Sequence, residues 1–317
     1  MKKLLASMLC LALAGSVVLS SCGKKDEKKE NVIENQQTVV EEQEIVQEVV
    51  EIQVPEQQLD FEFEIDSFDM EAKITQYLGD ATEVVIPDTI TDPVYGDVVP
   101  VTKIGTYAFG ENEAIEAVVL PETVTVIQKG AFQSCPNLRA VSLPNGLTTI
   151  EEKAFYNSNK IEKLGMVIDN ESEQEASLFD KIGNEFPATV TEIGFMAFSS
   201  QLNEIAWYSA LEGDVVVIGD GILLKFNGEE DYTMDEGIKS IAYYAFSNVG
   251  PIRITVTNTD VQFDENSIFM CDKEFTFVVP EEATELASTI KSCGAAYELL
   301  VPEAAEGEEV TSVEVAE

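Results

Sequence analysis

The chain has 317 residues, a length for one or two domains, and its 45% apolar content is enough to build a core. Acidic residues outnumber basic ones 59 to 19, a formal charge of −40, and this argues against nucleic acid and bare anionic membrane as partners. Histidine is absent, which excludes Ser-His-Asp and Cys-His catalysis, histidine-ligated zinc or haem, and histidine pH switching.

The chain opens on Lys2 and Lys3, followed by an apolar run from Leu4 to Ala14 that is too short to span a bilayer. Leu19-Ser20-Ser21-Cys22 comes next. An aliphatic residue, two small ones and a cysteine in that order resemble a bacterial lipobox. The resemblance implies that residues 1–21 are a lipoprotein signal peptide and that Cys22 carries the lipid; an ordinary secretory signal that happens to hold a cysteine is the other reading. Two or more acyl chains would anchor stably, so the implied place is the bacterial cell envelope, with the membrane as a partner through the anchor. No further apolar stretch of about 18 residues follows, so the rest is expected outside the membrane.

Residues 22–58 read as a charged tether. A mixed-charge run with four lysines, 23–30, precedes residues 31–58, which hold seven glutamates and no base. Val39, Val40, Ile45, Val46, Val49 and Val50 fall partly at helical spacing, but like charges and β-branching favour disorder. Lys25-Asp26-Glu27 resembles the short signal that sends some Bacteroidetes lipoproteins to the outer face.

From Leu59 the pattern changes. Leu59, Phe61, Phe63 and Ile65 alternate with acids, the period of a half-buried strand, which predicts an N-terminal cap over 59–80 with Lys73–Leu78 as its hairpin partner. Then the hexad Ile-x-x-x-Ala-Phe recurs at 104–109, 127–132, 150–155, 193–198 and 241–246, with phenylalanines 23, 23, 43 and 48 apart. The two long gaps are near twice 23, which predicts a degenerate unit in each; Ile268-Phe269 follows Phe246 by a single period. Upstream of the hexads, Leu120-Pro121 to Ile127, Leu143-Pro144 to Ile150 and Phe186-Pro187 to Ile193 form a second repeated element.

These two elements in register, a proline, Val-Thr-x-Ile and Ala-Phe, resemble the BspA-type leucine-rich repeat family over about residues 74–300. The resemblance implies a β-rich leucine-rich-repeat solenoid, with parallel strands on one face and short turns and 3-10 or helical pieces on the other. It also implies adhesins for host matrix proteins as relatives, a terminal cap after Phe275–Pro280, and a longer, insertion-type repeat at Gly219–Glu236. Gly165 to Gly183 departs from the pattern.

The physics of one unit needs no family. In Ile115 to Leu120, strand alternation turns Val118 and Leu120 inward and Ala117 and Val119 outward. Proline ends the strand, Val124–Ile127 returns on the other side, and Ala-Phe closes the coil, the small alanine permitting close stacking and the phenylalanine filling the space between layers. One unit cannot bury these groups alone, but a stack can. The solenoid with its caps is expected over 81–302, with Glu281–Ser292 as a helical C-terminal cap and 303–317 as a disordered acidic tail.

No site chemistry stands out. Cys135 falls at a buried turn position; Cys271 and Cys293 are open to pairing or not; and the absence of Cys-x-x-Cys argues against a zinc or redox site. Glu229-Glu230-Asp231 and Asp264-Glu265 match no calcium motif and read as solvated surface, so no cofactor, metal or catalytic residue is expected. Trp207 is expected in the core at the strand position of Leu120, with Tyr208 beside it as a possible sugar platform. The candidate ligand-contacting surface is the strand face, with Glu116, Val119, Arg139, Ser142, Glu162, Lys163, Asn203 and Glu204 turned outward, together with Ala117, Ala140 and Ala206. Arg139 and Lys163 are its rare positive points. The expected function is a protein-binding or adhesion module; a structural spacer and a glycan-binding accessory protein are the alternatives.

Overall fold

The computed structural model describes residues 55–168, 177–198, 204–246, 250, 252–263, 275–292 and 295–300. The signal segment, the tether up to residue 54 and the tail, with Cys22, Cys271 and Cys293, lie outside these, as do Asp264, Glu265, Ile268, Phe269 and Asn203, while residues 55–58, expected in the disordered tether, instead enter a 3-10 turn that belongs to the cap.

The N-terminal cap is the expected hairpin, Phe61–Asp66 (β1) antiparallel to Glu71–Tyr77 (β2). Leu59 is the exception. Pro55 starts a 3-10 turn over Glu56–Asp60, and Leu59 is 65% exposed on it. Gln58 is buried instead, its side-chain amide exchanging hydrogen bonds of 2.7 and 2.8 Å with the backbone of Thr91. Glu83–Val85 (β3), Thr89–Thr91 (β4) and Val98–Ile104 (β5) follow, β4 pairing antiparallel with β5 and β5 parallel with β2.

Each coil then supplies a front strand and a return strand. These are Ala117–Val119 (β6) and Val126–Ile127 (β7), Ala140–Ser142 (β8) and Thr149–Ile150 (β9), then Lys163–Gly165 (β10) and Glu192–Ile193 (β11). The front strands form a parallel sheet in the order β10-β8-β6-β3; the return strands continue the cap sheet as β5-β7-β9-β11. The turns after β6 and β8 are each closed by a proline, whose carbonyl accepts from the backbone N–H three residues on: Val124 to Pro121 and Leu147 to Pro144, both 3.1 Å.

Between the sheets stand the rings. Phe109, Phe132, Phe155 and Phe198 are stacked with centroids 4.9, 5.4 and 5.9 Å apart and planes within 19°. Tyr77 continues the stack into the cap at 5.3 Å from Phe109. Each phenylalanine is locked by its neighbour coil, the N–H of Phe109, Phe132 and Phe155 donating to the carbonyls of Ala131, Ala154 and Ala197 at 2.8, 2.8 and 2.9 Å. Threonines of the return layer staple coils the same way, Thr123 Oγ1 donating to the Val101 carbonyl and Thr189 Oγ1 to that of Leu147, both at 2.7 Å.

Phe198 stacks directly on Phe155, and β11 pairs directly with β9. The 43-residue gap therefore holds no degenerate coil; its surplus falls between β10 and Phe186, where the described residues 166–168 and 177–185 lie off the stack. The 48-residue gap does hold an extra layer, the antiparallel hairpin Val215–Ile218 (β12) and Ile222–Phe226 (β13), turned at Gly219 and Gly221 with φ of +56° and +80°. The second half continues with Tyr232–Thr233 (β14), Ser240–Ile241 (β15), Arg253–Thr255 (β16), Gln262–Phe263 (β17) and Thr276–Pro280 (β18). A nine-residue helix, Thr284–Ser292, covers the last coil by burying Leu286, Ala287 and Ile290, and Ala296–Leu300 (β19) then pairs parallel with β18. The helical cap is as expected; the strand after it had no signal in the sequence. The core falls into two apolar clusters, one from Phe61 to Ala242 and one from Leu223 to Ile290.

The residue before each hexad alanine has positive φ: Tyr107, Gly130, Lys153, Met196 and Tyr244 lie between 55° and 64°. Only at 130 does glycine relieve this conformation. Gly130→Ala is expected to cost about 1–2 kcal/mol from the left-handed backbone alone. Its Cβ would also run into the edge of the Tyr107 ring. A urea midpoint equal to that of the unaltered chain would contradict this.

Candidate interaction surface

Three kinds of surface could carry function: the front strand face, the hairpin tips at the N-terminal end, and the buried polar positions between coils.

The front face is not open over the first coils. The segment that leaves the stack after β10 folds back across it. Val167 and Ile182 form an antiparallel bridge, and Ile168 N–H donates to the Lys181 carbonyl at 2.7 Å. A single helical turn, Leu178–Lys181 (α1), is capped by Ser177, whose Oγ accepts from the Asp180 N–H. Leu178, Phe179 and Ile182 rest on Ala117, Ala140 and Val119, a small apolar cluster apart from the main core. Ala117, Ala140 and Ser142 are 1%, 0% and 1% exposed, which corrects the expectation that they face solvent. Alternation had the side right, but something covers it. Ser142 instead serves the fold, its Oγ accepting from the Leu120 N–H at 2.8 Å.

Arg139 and Lys163 are brought together here. Both reach the Phe179 ring, whose centroid is 4.3 Å from the guanidinium carbon and 4.4 Å from Nζ. Lys163 also donates to the Phe179 carbonyl at 2.9 Å, and Arg139 pairs with Glu162 at 3.0 Å. The Glu162 carboxylate holds the Arg139 guanidinium more firmly protonated than usual. Glu116, Glu162 and Glu204 are exposed and Val119 is half-buried; Glu204 accepts from Ser209 Oγ at 3.2 Å.

Two aromatic expectations change. Trp207 is in the core, 3% exposed, but on a helical turn, Ala206–Ser209 (α2), rather than a strand. It packs on Phe186 and Phe198 at 5.7 and 5.4 Å. Tyr208 is 5% exposed and donates to the Leu224 carbonyl at 3.1 Å, so it is no sugar platform. Burial raises its pKa above the ordinary tyrosine value.

The hairpin tips carried no mark in the sequence reading. Phe68 is 94% exposed at the β1–β2 turn; Tyr95, Val94 and Val98 are 79%, 69% and 62% exposed at the β4–β5 turn. Because β2 and β5 run parallel, both turns lie at the same end of the sheet. Each is built by one aspartate. Asp66 Oδ1 accepts from the N–H groups of Phe68 and Asp69, and Asp92 Oδ1 from those of Val94 and Tyr95 at 2.6 and 3.0 Å. These backbone bonds hold the Asp66 carboxyl below the usual carboxylate range.

The polar positions between coils are structural. Cys135 and Ser158 occupy equivalent sites, Sγ meeting the Phe109 carbonyl at 3.0 Å and Oγ the Phe132 carbonyl at 2.6 Å. Burial pushes the Cys135 thiol up to about 11, which keeps it protonated and unreactive. Among the described residues no cluster of acids and cysteines is disposed to hold a metal. No helix among them is long and apolar enough to cross a membrane.

On the return face, Glu152 sits between Lys129 at 2.7 Å and Lys153 at 3.0 Å, and their hydrogen bonds, Lys129's first, hold its carboxyl below the usual range. A carboxyl lowered on folding stabilises above its unfolded value and loses that contribution as pH falls through the folded value. Glu152→Gln is therefore expected to melt below the unaltered chain at pH 7, with the gap closing as pH drops below the ordinary value of 4.5. Melting curves of both proteins across pH 3–7 read this directly.

A family model described as a BspA type leucine rich repeat region matches residues 102–203 and 191–295, in six copies. Among solved structures, a leucine-rich repeat protein from Bacteroides capillosus is 29% identical, over 44% of this chain and 94% of its own, with a TM-score of 0.32. The T. pallidum leucine rich repeat protein is 21% identical over 76% and 96%, at 0.37. A leucine rich cell surface protein from Faecalibacterium prausnitzii is 17% identical over 77% and 94%, at 0.29. No curated protein matches the chain.

Proposed function

Because this chain belongs to the BspA-type leucine-rich repeat family, we propose that it is a bacterial protein-binding module displayed at the cell surface on a lipid attached to Cys22. The observation that carries the binding role is the pair of hairpin tips. Phe68 and Tyr95 stand out into solvent on turns already fixed by Asp66 and Asp92. Groups ordered before contact lose little entropy on binding, and exposed aromatics supply the anchoring area that interfaces favour. Asp66, Asp69, Asp92 and Asp97 flank them, so the complementary partner is a protein with an apolar centre and a basic rim. The order of basic start, apolar run and Leu19-Ser20-Ser21-Cys22 supports the anchor.

Binding of the purified full chain to an array of extracellular proteins tests the first part. Saturable binding that weakens at least about tenfold in Phe68→Asp/Tyr95→Asp is expected; binding indifferent to both substitutions, or silence across the array, overturns it. Labelling cells with an alkyne fatty acid tests the second. Cys22→Ala should abolish incorporation, and label retained in that variant would refute the anchor.

A further inference from the structure

We propose that the front face over β6, β8 and β10 is a peptide-binding groove, filled at rest by the chain's own Leu178–Ile182. Its ligand is a short segment in which an aromatic residue precedes an acid and an aliphatic follows two positions later, the arrangement of Phe179-Asp180-Lys181-Ile182. This groove is separate from the hairpin tips.

The floor is shaped for such a guest. Ala117 and Ala140 stand side by side in register, so their side chains leave a shallow trough one helical turn can enter. Gly165 extends it: a Cβ there would lie 2.7 Å from the Glu185 carbonyl oxygen where the segment returns. The walls are polar. Glu83 Oε1 accepts the Leu178 N–H at 3.2 Å on one side, and Arg139 and Lys163 hold the aromatic ring on the other. These are two cations in a chain of net charge −40, and both are turned to one ring. Lys163 also takes the guest's carbonyl at 2.9 Å, so the groove reads backbone as well as side chain.

The occupant is held as a guest is held. Its apolar contacts form a cluster in which only Ala117, Ala140 and Ile182 are buried, distinct from the core that holds the coils together. The backbone bonds of the segment, Ile168 N–H to Lys181 and Gly183 N–H to Met166 at 2.7 and 2.9 Å, join it to itself at its base. It can therefore leave the floor without unstacking a coil. A competing peptide meets an apparent affinity reduced by the fraction of time the groove stands open.

The probe is the synthetic peptide Ser-Leu-Phe-Asp-Lys-Ile-Gly, dye-labelled and blocked at both ends, titrated onto the full chain by fluorescence anisotropy. The variant Phe179→Ala/Ile182→Ala, which loosens the occupant, should bind it at least about tenfold more tightly than the unaltered chain. Adding Arg139→Glu to that variant, or alanine for the peptide's phenylalanine, should remove the gain. Equal binding to the two proteins, or none to the loosened one, overturns the proposal. Hydrogen exchange on the unaltered chain is the second measurement. The amide of Leu178, whose bond to Glu83 breaks when the segment leaves the floor, should exchange at least about a hundredfold faster than that of Val141 through local opening; exchange at one common rate would show that the segment opens only with the coils and also overturns it. Neither readout involves Phe68 or Tyr95, so this groove and the hairpin tips stand or fall separately.

Discussion

Phe132→Ala is expected to destabilise the chain by about 3–5 kcal/mol, the cost of a phenylalanine-sized cavity in a core that cannot collapse around it. Phe132 is wholly buried and stacked on both sides, on Phe109 at 4.9 Å and on Phe155 at 5.4 Å. Its backbone is tied to the next coil through the Ala154 carbonyl at 2.8 Å, so neither ring can slide into the space without stretching that bond. For a domain of this size the loss corresponds to a melting temperature lower by about 6–20 °C. Phe68→Ala removes an equally large side chain from water rather than from the stack and should change stability by no more than about 0.5 kcal/mol. Paired thermal melts of the two variants read the difference; equal melting temperatures would mean that the rings do not hold the coils together.

Ser158→Ala is the second large loss expected, about 2–6 kcal/mol, although only one oxygen is removed. That Oγ donates to the Phe132 carbonyl at 2.6 Å and accepts from the Cys135 N–H at 2.9 Å. Alanine would strand both backbone groups in the interior, each at a cost of about 1–3 kcal/mol. Cys135→Ser sets the scale. It places a hydroxyl where Sγ now meets the Phe109 carbonyl, the arrangement Ser158 uses one coil later, and should cost under about 1 kcal/mol. Urea unfolding that ranks Cys135→Ser below Ser158→Ala would contradict the role given to these positions.

The coil period was readable because its chemistry repeats at fixed spacing: proline at the turn, alanine at the close approach, phenylalanine between the layers. The cap hairpin and the C-terminal helix were readable from their periods. Other features were hidden for physical reasons. The residue at positive φ before the alanine is tyrosine, lysine or methionine in four of the five hexads and glycine in one, because the inter-coil bonds of the following Ala and Phe impose the conformation regardless of side chain. The segment over the front face showed only as a break in the repeat. Alternation assigns a residue to a side of a strand but does not reveal what lies on that side. A trace was present all the same: Ala117, Ala140 and Gly165 are unusually small for outward positions, and their size is now explained by the turn seated on them. Leu59 misled because the proline four residues earlier winds it into a turn before the strand begins. Phe68 and Tyr95 passed unnoticed because they sit in turns, where apolar residues have no period to betray them.

The central claim is that the coils are interchangeable layers of one stack, and excision of a single layer tests it most directly. Removal of residues 131–153 joins Gly130 to Ala154, so that Ile127 leads through a new hexad to Phe155 and Ser158 takes the place of Cys135 against Phe109. Near-ultraviolet circular dichroism recorded through a thermal melt should show a fixed aromatic environment lost in one cooperative transition, at a lower temperature than in the intact chain. A featureless near-ultraviolet spectrum with no transition would show that the layers are not equivalent, and would contradict the stack on which the rest is built.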